Sequence, residues 1–176
     1  GTRDRMILLL AYTTLGRRSE LSSMRVEALT LCSHGQSLIL LRQSTTDQTR
    51  EGVLLALDIE TTFAVKHWIE FACIADGYLL RGITGKRLNQ AMDPGQISRV
   101  FKSIAVKADF EPKQISGHST RIGAAQDMLS GGAIIGQIMA KVGWSKVDTV
   151  MRYVGVTNIE AMSSQSIRKI GFTAYR

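Results

Sequence analysis

The sequence predicts a mainly α-helical domain with a small antiparallel β-sheet, which is an α+β fold. Several segments carry apolar residues at helical spacing, and the first of them, residues 4–14 (DRMILLLAYTT), is strongly apolar. Between residues 37 and 57 the pattern changes to two short apolar runs, SLILLRQ and GVLLALD, which flank the polar segment 44–52. Two such runs around a polar segment are typical of a β-hairpin with a long tip.

Length and composition indicate a single globular domain. The chain has 176 residues, of which 44% are hydrophobic and 21% charged, so it is long enough to bury a core. A net charge of +7 and a pI of 9.7 favour a polyanionic partner, because each phosphate neutralised by Lys or Arg releases counterions. The sequence contains no signal peptide and no run of about 18 apolar residues, so no membrane partner is expected. The chain opens with Gly1-Thr2 in place of Met, and a longer natural N-terminus is expected.

The first two helices are predicted to meet at an arginine. Residues 4–14 are followed by Gly16, which stands at the position that favours glycine at helix ends. The next helix is predicted to start near Ser19 and to carry Glu20, whose negative charge suits a helix N-terminus. Arg17 is therefore expected at the junction of the two helices. A run of Arg-Arg-Ser-Glu also suits an ordinary charged first turn, so these residues alone do not indicate a site.

Helical spacing returns in residues 60–75, after the predicted hairpin. The largest residue of this segment, Trp68, is expected to lie in the core. The residues predicted for the apolar, buried side of the helix are Phe63, Val65, Trp68, Ile69, Phe71 and Ala72.

A polar loop and a further helix follow. The loop, residues 82–93, carries Lys86 and Arg87, which suit either contacts with nucleic-acid phosphates or exposure to solvent. Asp93 and Pro94 then predict a helix start, with Asp as the cap and Pro at the first helical position. The cations on the exposed side of that helix suit phosphate contacts and solubility equally, and they are Arg99, Lys102 and Lys107.

No disulfide, metal site or nucleotide site is expected. Cys32 and Cys73 stand far apart and outside any C-x-x-C pair, which predicts two reduced and mostly buried thiols. The three histidines are dispersed, without an H-E-x-x-H pattern or neighbouring carboxylates, so no metal ligand set is predicted. The glycine segments 82–86 and 131–133 lack the spacing of a P-loop or of a dinucleotide fingerprint, and no cofactor is expected.

Residues 114–153 concentrate the side chains that suit phosphate chemistry. His118 and Arg121 stand three apart at the start of a predicted helix, so both project from one face. Trp144 and Tyr153 follow on two further short helical patterns. A guanidinium matches two phosphate oxygens, an imidazole exchanges a proton near neutral pH, and a phenol can be a covalent nucleophile.

Two boxes of sequence carry a resemblance to a known family. The run LGRRSEL is similar to the box G-L/M-R-x-S-E-L, and SGHSTR is similar to the box S/G-H-x-x-R, of the tyrosine recombinase or phage integrase family. The resemblance covers residues 3–158 and departs from the first box only where Leu15-Gly16 inverts the Gly-Leu order. It implies Glu20 as a supporting carboxylate, and the catalytic residues that it implies are Arg17, His118, Arg121, Trp144 and Tyr153.

The resemblance also implies a reaction, which is the cutting and rejoining of duplex DNA. Tyr153 would attack the scissile phosphodiester, form a 3'-phosphotyrosyl link and release a 5' hydroxyl, while His118 exchanges a proton. Positive charge and hydrogen bonds from Arg17, Arg121 and Trp144 would neutralise the nonbridging oxygens. The family's chemistry needs neither a metal nor a cofactor, because the phosphotyrosyl link retains the energy of the bond that is broken.

The predicted hairpin departs from the family at one important position. The family places a lysine there, in a segment like R-S-K-T-D-Q, which is thought to protonate the leaving 5' oxygen. This sequence reads QSTTDQ over residues 43–48, and Thr45 stands where the lysine is expected. No lysine lies within residues 1–65, and the nearby cations Arg42 and Arg50 are too basic to be good proton donors. The sequence therefore predicts inefficient cleavage on an intact fold.

By the same resemblance, residues 1–176 are expected to be the C-terminal catalytic domain of a longer recombinase whose N-terminal core-binding domain is absent from this sequence. The implied partners are duplex DNA and further copies of the chain in a tetrameric synapse. The implied location is the cytoplasm, at the nucleoid, in a prokaryotic or phage system with a mobile element. The cations expected to contact DNA are Arg42, Arg50, Lys86 and Arg87.

Three other functions stay open at the level of sequence. A type IB topoisomerase-like enzyme would use the same chemistry to relax DNA. A DNA-binding or regulatory protein of the same fold would have weak or no cleavage, and Thr45 favours that hypothesis. A helical regulator would carry the motifs by chance. Trapping of a covalent DNA adduct, together with assays of strand exchange and DNA relaxation, separates these classes.

Overall fold

A computed structural model of the chain describes residues 1–42, 52–85, 87–144 and 146–154, which belong to two compact units, Gly1–Ala124 and Ala125–Arg176. None of the helices in these described ranges is both long and apolar enough to span a membrane. Helix α5 begins in the first unit and ends in the second. The helices are α1 (Thr2–Thr14), α2 (Arg18–Ser23), α3 (Ile59–Phe71), α4 (Pro94–Lys107), α5 (Ser119–Ser130), α6 (Ile135–Val142) and α7 (Val147–Val154).

The first unit contains a three-stranded antiparallel sheet in the order β1-β2-β3. Strands β2 (Ser37–Leu41) and β3 (Val53–Leu57) pair as the predicted hairpin, with Ile39 opposite Leu55. This confirms the hairpin, although its predicted tip lies almost wholly in residues 43–51, outside the described residues. Strand β1 (Leu29–Leu31) was not predicted, because three residues are too few to establish an alternating pattern. Two further short strands, β4 (Ile83–Thr84) and β5 (Arg87–Leu88), form a separate ladder.

The core of the first unit lies where α1 and α3 pack against each other and α1 meets β3. Trp68 is fully buried, as predicted, and its Nε1–H donates a hydrogen bond to the backbone oxygen of Leu79 at 2.9 Å. The one polar atom of the largest core side chain is therefore satisfied. Other fully buried members of the cluster are Met6, Ile7, Leu10, Leu21, Met24, Ile39, Leu57, Leu80 and Ile97.

The prediction that Phe63 and Phe71 face the core is wrong, because their exposed fractions are 64% and 69%. They lie four residues on either side of His67, and the Phe63 and His67 rings stack with centroids 6.2 Å apart. The opposite side of α3 faces inward with Val65 and Trp68. Apolar residues occur on both sides of this helix, so periodicity did not distinguish the buried side from the exposed one.

The prediction of buried thiols is also wrong, because Cys32 and Cys73 are both exposed. Each lies just beyond the end of an element, Cys32 after β1 and Cys73 after α3. Cys73 has a left-handed backbone (φ 50°) in the turn that leaves the helix. Both are free thiols, since no disulfide joins them.

The end of α1 differs from the prediction in a way that affects the site. Leu15, and not Gly16, takes the left-handed conformation that ends the helix (φ 51°, ψ 28°). A left-handed non-glycine residue costs of order 1–3 kcal/mol, which the burial of the Leu15 side chain helps to offset. Gly16 lies in a tight place, because a Cβ there would lie 3.1 Å from both Leu21 Cδ2 and Thr14 Oγ1, and these side chains would have to adjust.

Helix α4 begins as the sequence predicts. Asp93 Oδ1 accepts a hydrogen bond from the backbone N–H of Gly95 at 2.8 Å, and Pro94 occupies the first helical position. Ile97 and Phe101 are buried in the core of the first unit. The three basic residues predicted for the outer face, Arg99, Lys102 and Lys107, are all exposed.

Candidate active site

Arg17 and Glu20 form a fixed pair at the start of α2. The NH1 atom of Arg17 donates to Glu20 Oε1 at 3.0 Å, and the backbone N–H of Arg17 donates to Glu20 Oε2 at 2.7 Å. Only 5% of Glu20 is exposed. Because one carboxylate binds both the guanidinium and the backbone of Arg17, the direction of the arginine side chain is constrained. The structure thus pairs the buried carboxylate of Glu20 with Arg17.

Arg121 is held from a different direction, in the first turn of α5. Only 3% of Arg121 is exposed, and its NH1 donates to the backbone oxygen of Leu15, the left-handed residue that ends α1. Burial and the charge of Arg17 lower the pKa of Arg121, and Glu20 raises it. An arginine stays charged despite such shifts, so this guanidinium is a buried, oriented cation.

His118 immediately precedes α5 and is exposed. Its backbone N–H donates to Ser116 Oγ at 3.2 Å, and the N–H of Ser116 donates to Ser119 Oγ at 2.9 Å. These two local hydrogen bonds stabilise the start of the helix. Desolvation by the surrounding atoms lowers the pKa of His118, and the charges of Arg121, Arg18 and Arg17 lower it further. The imidazole is therefore neutral at pH 7 and able to accept a proton.

One cavity of about 390 Å³ in the first unit is lined by Arg17, His118 and Arg121, among other residues. Three arginines line this cavity, and among the described residues Glu20 forms an ion pair with Arg17 at 3.0 Å, so the lining favours anions. Arg18 also lines the cavity, although the sequence predicts for it only a place in a charged helix start; the adjacent Arg-Arg pair is its one signal in the sequence. The lining residues are Arg17, Arg18, Ser19, Pro94, Gly95, Gly117, His118 and Arg121.

Trp144 and Tyr153 belong to the second unit, Trp144 two residues after the end of α6 and Tyr153 within α7. Helix α6 ends at Val142 and is capped by Gly143, whose φ of 70° is left-handed, and the N–H of Trp144 donates to the backbone oxygen of Met139 at 3.1 Å. Trp144 is half-buried. Tyr153 is in the last turn of α7. Their catalytic roles stay predictions.

The residues predicted to contact DNA fall into two groups. Arg42 at the end of β2 and Arg87 in β5 are both exposed. Thr45, Arg50 and Lys86 lie outside the described residues. Phosphate contacts by any of the four cations stay predictions, as does the consequence of Thr45.

The chain thus combines a mainly helical fold and a small antiparallel sheet with a cavity lined by three arginines. An arginine-rich cavity with a neutral imidazole suits a phosphodiester, because guanidinium groups pair with nonbridging oxygens. The phage integrase family model matches residues 1–159, and the chain therefore belongs to the phage integrase family. This confirms the resemblance seen in the sequence.

Two curated proteins illustrate the similarity. Recombinase cre of Escherichia phage P1 is 29% identical over 181 residues, which cover 94% of this chain and 52% of that protein. An integrase/recombinase xerD homolog of Selenomonas ruminantium is 27% identical over 167 residues, which cover 90% of this chain and 49% of that protein. This chain spans about half the length of these curated relatives.

Solved structures confirm the predicted fold class. The XerA recombinase superposes with a TM-score of 0.73 at 21% identity, over 97% of this chain and 57% of that one. The XerH site-specific recombinase bound to a palindromic difH substrate superposes with a TM-score of 0.72 at 14% identity, over 96% of this chain and 46% of that one. At these identities the similarity establishes the fold alone.

Proposed function

We propose that this chain is the catalytic part of a site-specific recombinase or integrase that cuts and rejoins duplex DNA through a 3'-phosphotyrosyl intermediate. The observation that carries the proposal is the cavity in which Arg17, Arg121 and His118 meet, with Glu20 bound to Arg17. The names of the curated relatives, a recombinase and an integrase/recombinase, support the same function.

The two arginines bind the nonbridging oxygens of the scissile phosphate. Both are oriented before any substrate arrives, Arg17 by Glu20 and Arg121 by the oxygen of Leu15. Donors that need no reorganisation stabilise the charge that develops in a transition state more than the same donors in water. The indole N–H of Trp144 is assigned as a third donor to the same phosphate.

The covalent step exchanges one phosphodiester for another. The phenol oxygen of Tyr153 forms a bond to phosphorus, the bond from phosphorus to the 5' oxygen breaks, and the phenolic proton passes to His118. The departing 5' oxygen takes up a proton, which in this chain comes from water or from a residue other than the missing lysine. A second 5' hydroxyl then reverses the step, so no nucleotide is consumed.

Duplex DNA is the proposed substrate, and copies of the chain are proposed to assemble on it as a tetramer. The net charge of +7 and the arginine cavity support the first part. The XerH protein was solved with its difH substrate, which is consistent with DNA as a ligand of this fold. The proposed location is the cytoplasm, at the nucleoid.

A specific observation favours one second candidate, a DNA-binding protein of this family with weak cleavage. Thr45 stands where the family has its hairpin lysine, so the general acid of that position is missing. Such a protein would bind DNA through the same cavity and accumulate little covalent adduct. Covalent trapping of DNA separates the two candidates.

Selection of covalently trapped DNA tests the proposal and identifies the target sequence in the same experiment. A pool of duplexes with random inserts and a nick near the random region is incubated with the protein and then denatured, and only DNA attached to protein is kept and sequenced. A recombinase enriches one sequence with the protein on a 3' phosphate. A non-cleaving DNA-binding protein retains duplexes in the native state and none after denaturation.

The binding of DNA by this chain is expected to be electrostatic and weakly sequence-selective. Each phosphate contact contributes about −0.9 to the slope of log K against log[salt]. Contacts with two phosphates therefore predict a loss of roughly tenfold between about 50 and 200 mM salt, and each further phosphate adds to it. Fluorescence anisotropy with two unrelated duplexes measures both the slope and the selectivity. An affinity that does not change with salt would contradict this prediction.

The pH dependence of cleavage is expected to reflect a neutral His118. Because the pKa of His118 lies below its ordinary value of 6.5, the imidazole is protonated only in more acidic solution. The single-turnover cleavage rate should hold from about pH 8 down to 6.5 and fall at lower pH, where His118 no longer accepts the proton of Tyr153. His118→Gln should be slower and lose this acidic limb. A rate that already declines above pH 6.5 would argue against His118 as the base.

A further inference from the structure

Arg18 is the cation of the cavity to which neither sequence box assigns a role, since the first box leaves its position open. Its side chain crosses the backbone of Gly117, where a Cβ would lie only 2.3 Å from Arg18 Cδ and 2.5 Å from Arg18 Nε. At its far end, NH1 donates to Ser98 Oγ at 3.0 Å. The arginine is therefore held across the cavity wall between α4 and the residue that precedes His118.

No carboxylate among the described residues forms an ion pair with Arg18. Within the part of the chain that the structure describes, the partner of its guanidinium is the neutral hydroxyl of Ser98. Arg17, by contrast, is paired with Glu20 at 3.0 Å. The positive charge of Arg18 is close enough to His118 to contribute to the lowering of its pKa. A half-buried guanidinium without a counterion, on the wall of a cavity, favours an anionic ligand.

We propose that Arg18 is a third phosphate ligand of this cavity and binds a backbone phosphate of the DNA that the chain cleaves. The inference rests on the proposed function, because it adds a ligand to the same substrate. Gly117 makes this position of Arg18 possible. The family box accepts Ser or Gly here, and Gly leaves the space that the Arg18 side chain occupies.

The first test compares the salt dependence of binding to a duplex of arbitrary sequence. Arg18→Gln should reduce the slope of log K against log[salt] by about 0.9, the contribution of one phosphate contact, while Arg18→Lys should keep the slope. Lys66→Gln removes the same charge from an exposed position on α3 that does not line the cavity, and it should leave the slope unchanged. Equal slopes for Arg18→Gln and the unaltered chain would overturn the proposal, as would equal reductions in Arg18→Gln and Lys66→Gln.

A second variant tests the position of Arg18 without removing its charge. Gly117→Ser introduces a Cβ into the space of the Arg18 side chain and should lower the slope as Arg18→Gln does. In the Gly117→Ser background, Arg18→Gln should then have little further effect, because the two changes remove one contact. Fully additive reductions in slope would contradict the proposed dependence on Gly117.

A third measurement needs no variant and no cleavage. In the ¹⁵N-labelled chain, the Nε–H signals of Arg17 and Arg18 are followed while inorganic phosphate is added. Both signals should shift with the same midpoint, and a shift of Arg17 alone would overturn the proposal even if Arg18→Gln fails to fold. Because none of these measurements involves strand cutting, a chain that binds phosphate through Arg18 but forms no adduct would support this inference while contradicting the proposed function.

Discussion

The Tyr153→Phe variant is expected to bind DNA with unchanged affinity and to form no covalent DNA adduct. The change keeps the aromatic ring and removes only the oxygen that would attack phosphorus, so folding and phosphate contacts should persist. A nicked duplex carrying the sequence selected by covalent trapping is incubated with each protein, and adducts are separated on a denaturing gel. The expected effect is complete loss of the shifted band.

Tyr12→Phe provides a matched control, because Tyr12 is an exposed tyrosine on α1. It removes the same phenolic oxygen from a position outside the cavity and should leave the adduct unchanged. Thermal melting and anisotropy check that both variants fold and bind. If the adduct survives in Tyr153→Phe and maps to Tyr12, Tyr78 or Tyr175, the assignment of the nucleophile is wrong.

The Thr45→Lys variant is expected to cleave DNA faster than the unaltered chain. A threonine hydroxyl is not a cationic proton donor at neutral pH, so the 5' oxygen leaves slowly unless another group protonates it. General acid catalysis typically contributes about 10²- to 10⁴-fold, and the rate of adduct formation in single turnover should rise by an amount in that range. A lysine on this hairpin would restore the family pattern.

A chemical control separates leaving-group protonation from a change in binding. A substrate with sulfur at the bridging 5' position needs little protonation, so the unaltered chain should cleave it nearly as fast as Thr45→Lys does. Thr46→Lys adds the same charge one residue further on and should not reproduce the gain. If Thr45→Lys leaves the rate on the ordinary substrate unchanged, another residue already supplies the proton or the alignment of residues 44–48 is wrong.

The sequence by itself determined the features that depend on neighbours along the chain. The apolar spacing of residues 4–14 and the cap at Asp93 are local signals, and the helices formed where these signals predict them. The two boxes around Arg17 and His118 can also be identified from the sequence, because the residues of each box lie together at the start of a single helix. Those signals were enough for the fold class and the family.

Only the tertiary structure decided which side of α3 is buried, which residue ends α1 and how Arg18 takes part in the cavity. Phe63 and Trp68 are both apolar, and the packing of α1 selected the face that carries Trp68. The contacts Arg121 to Leu15 and Arg18 to Ser98 join residues 106 and 80 positions apart. Periodicity and propensity describe neighbours within a few residues, whereas a cavity is formed by groups that only folding brings together. For that reason the sequence identified the chemistry of the site, and the fold decided which guanidinium groups share it.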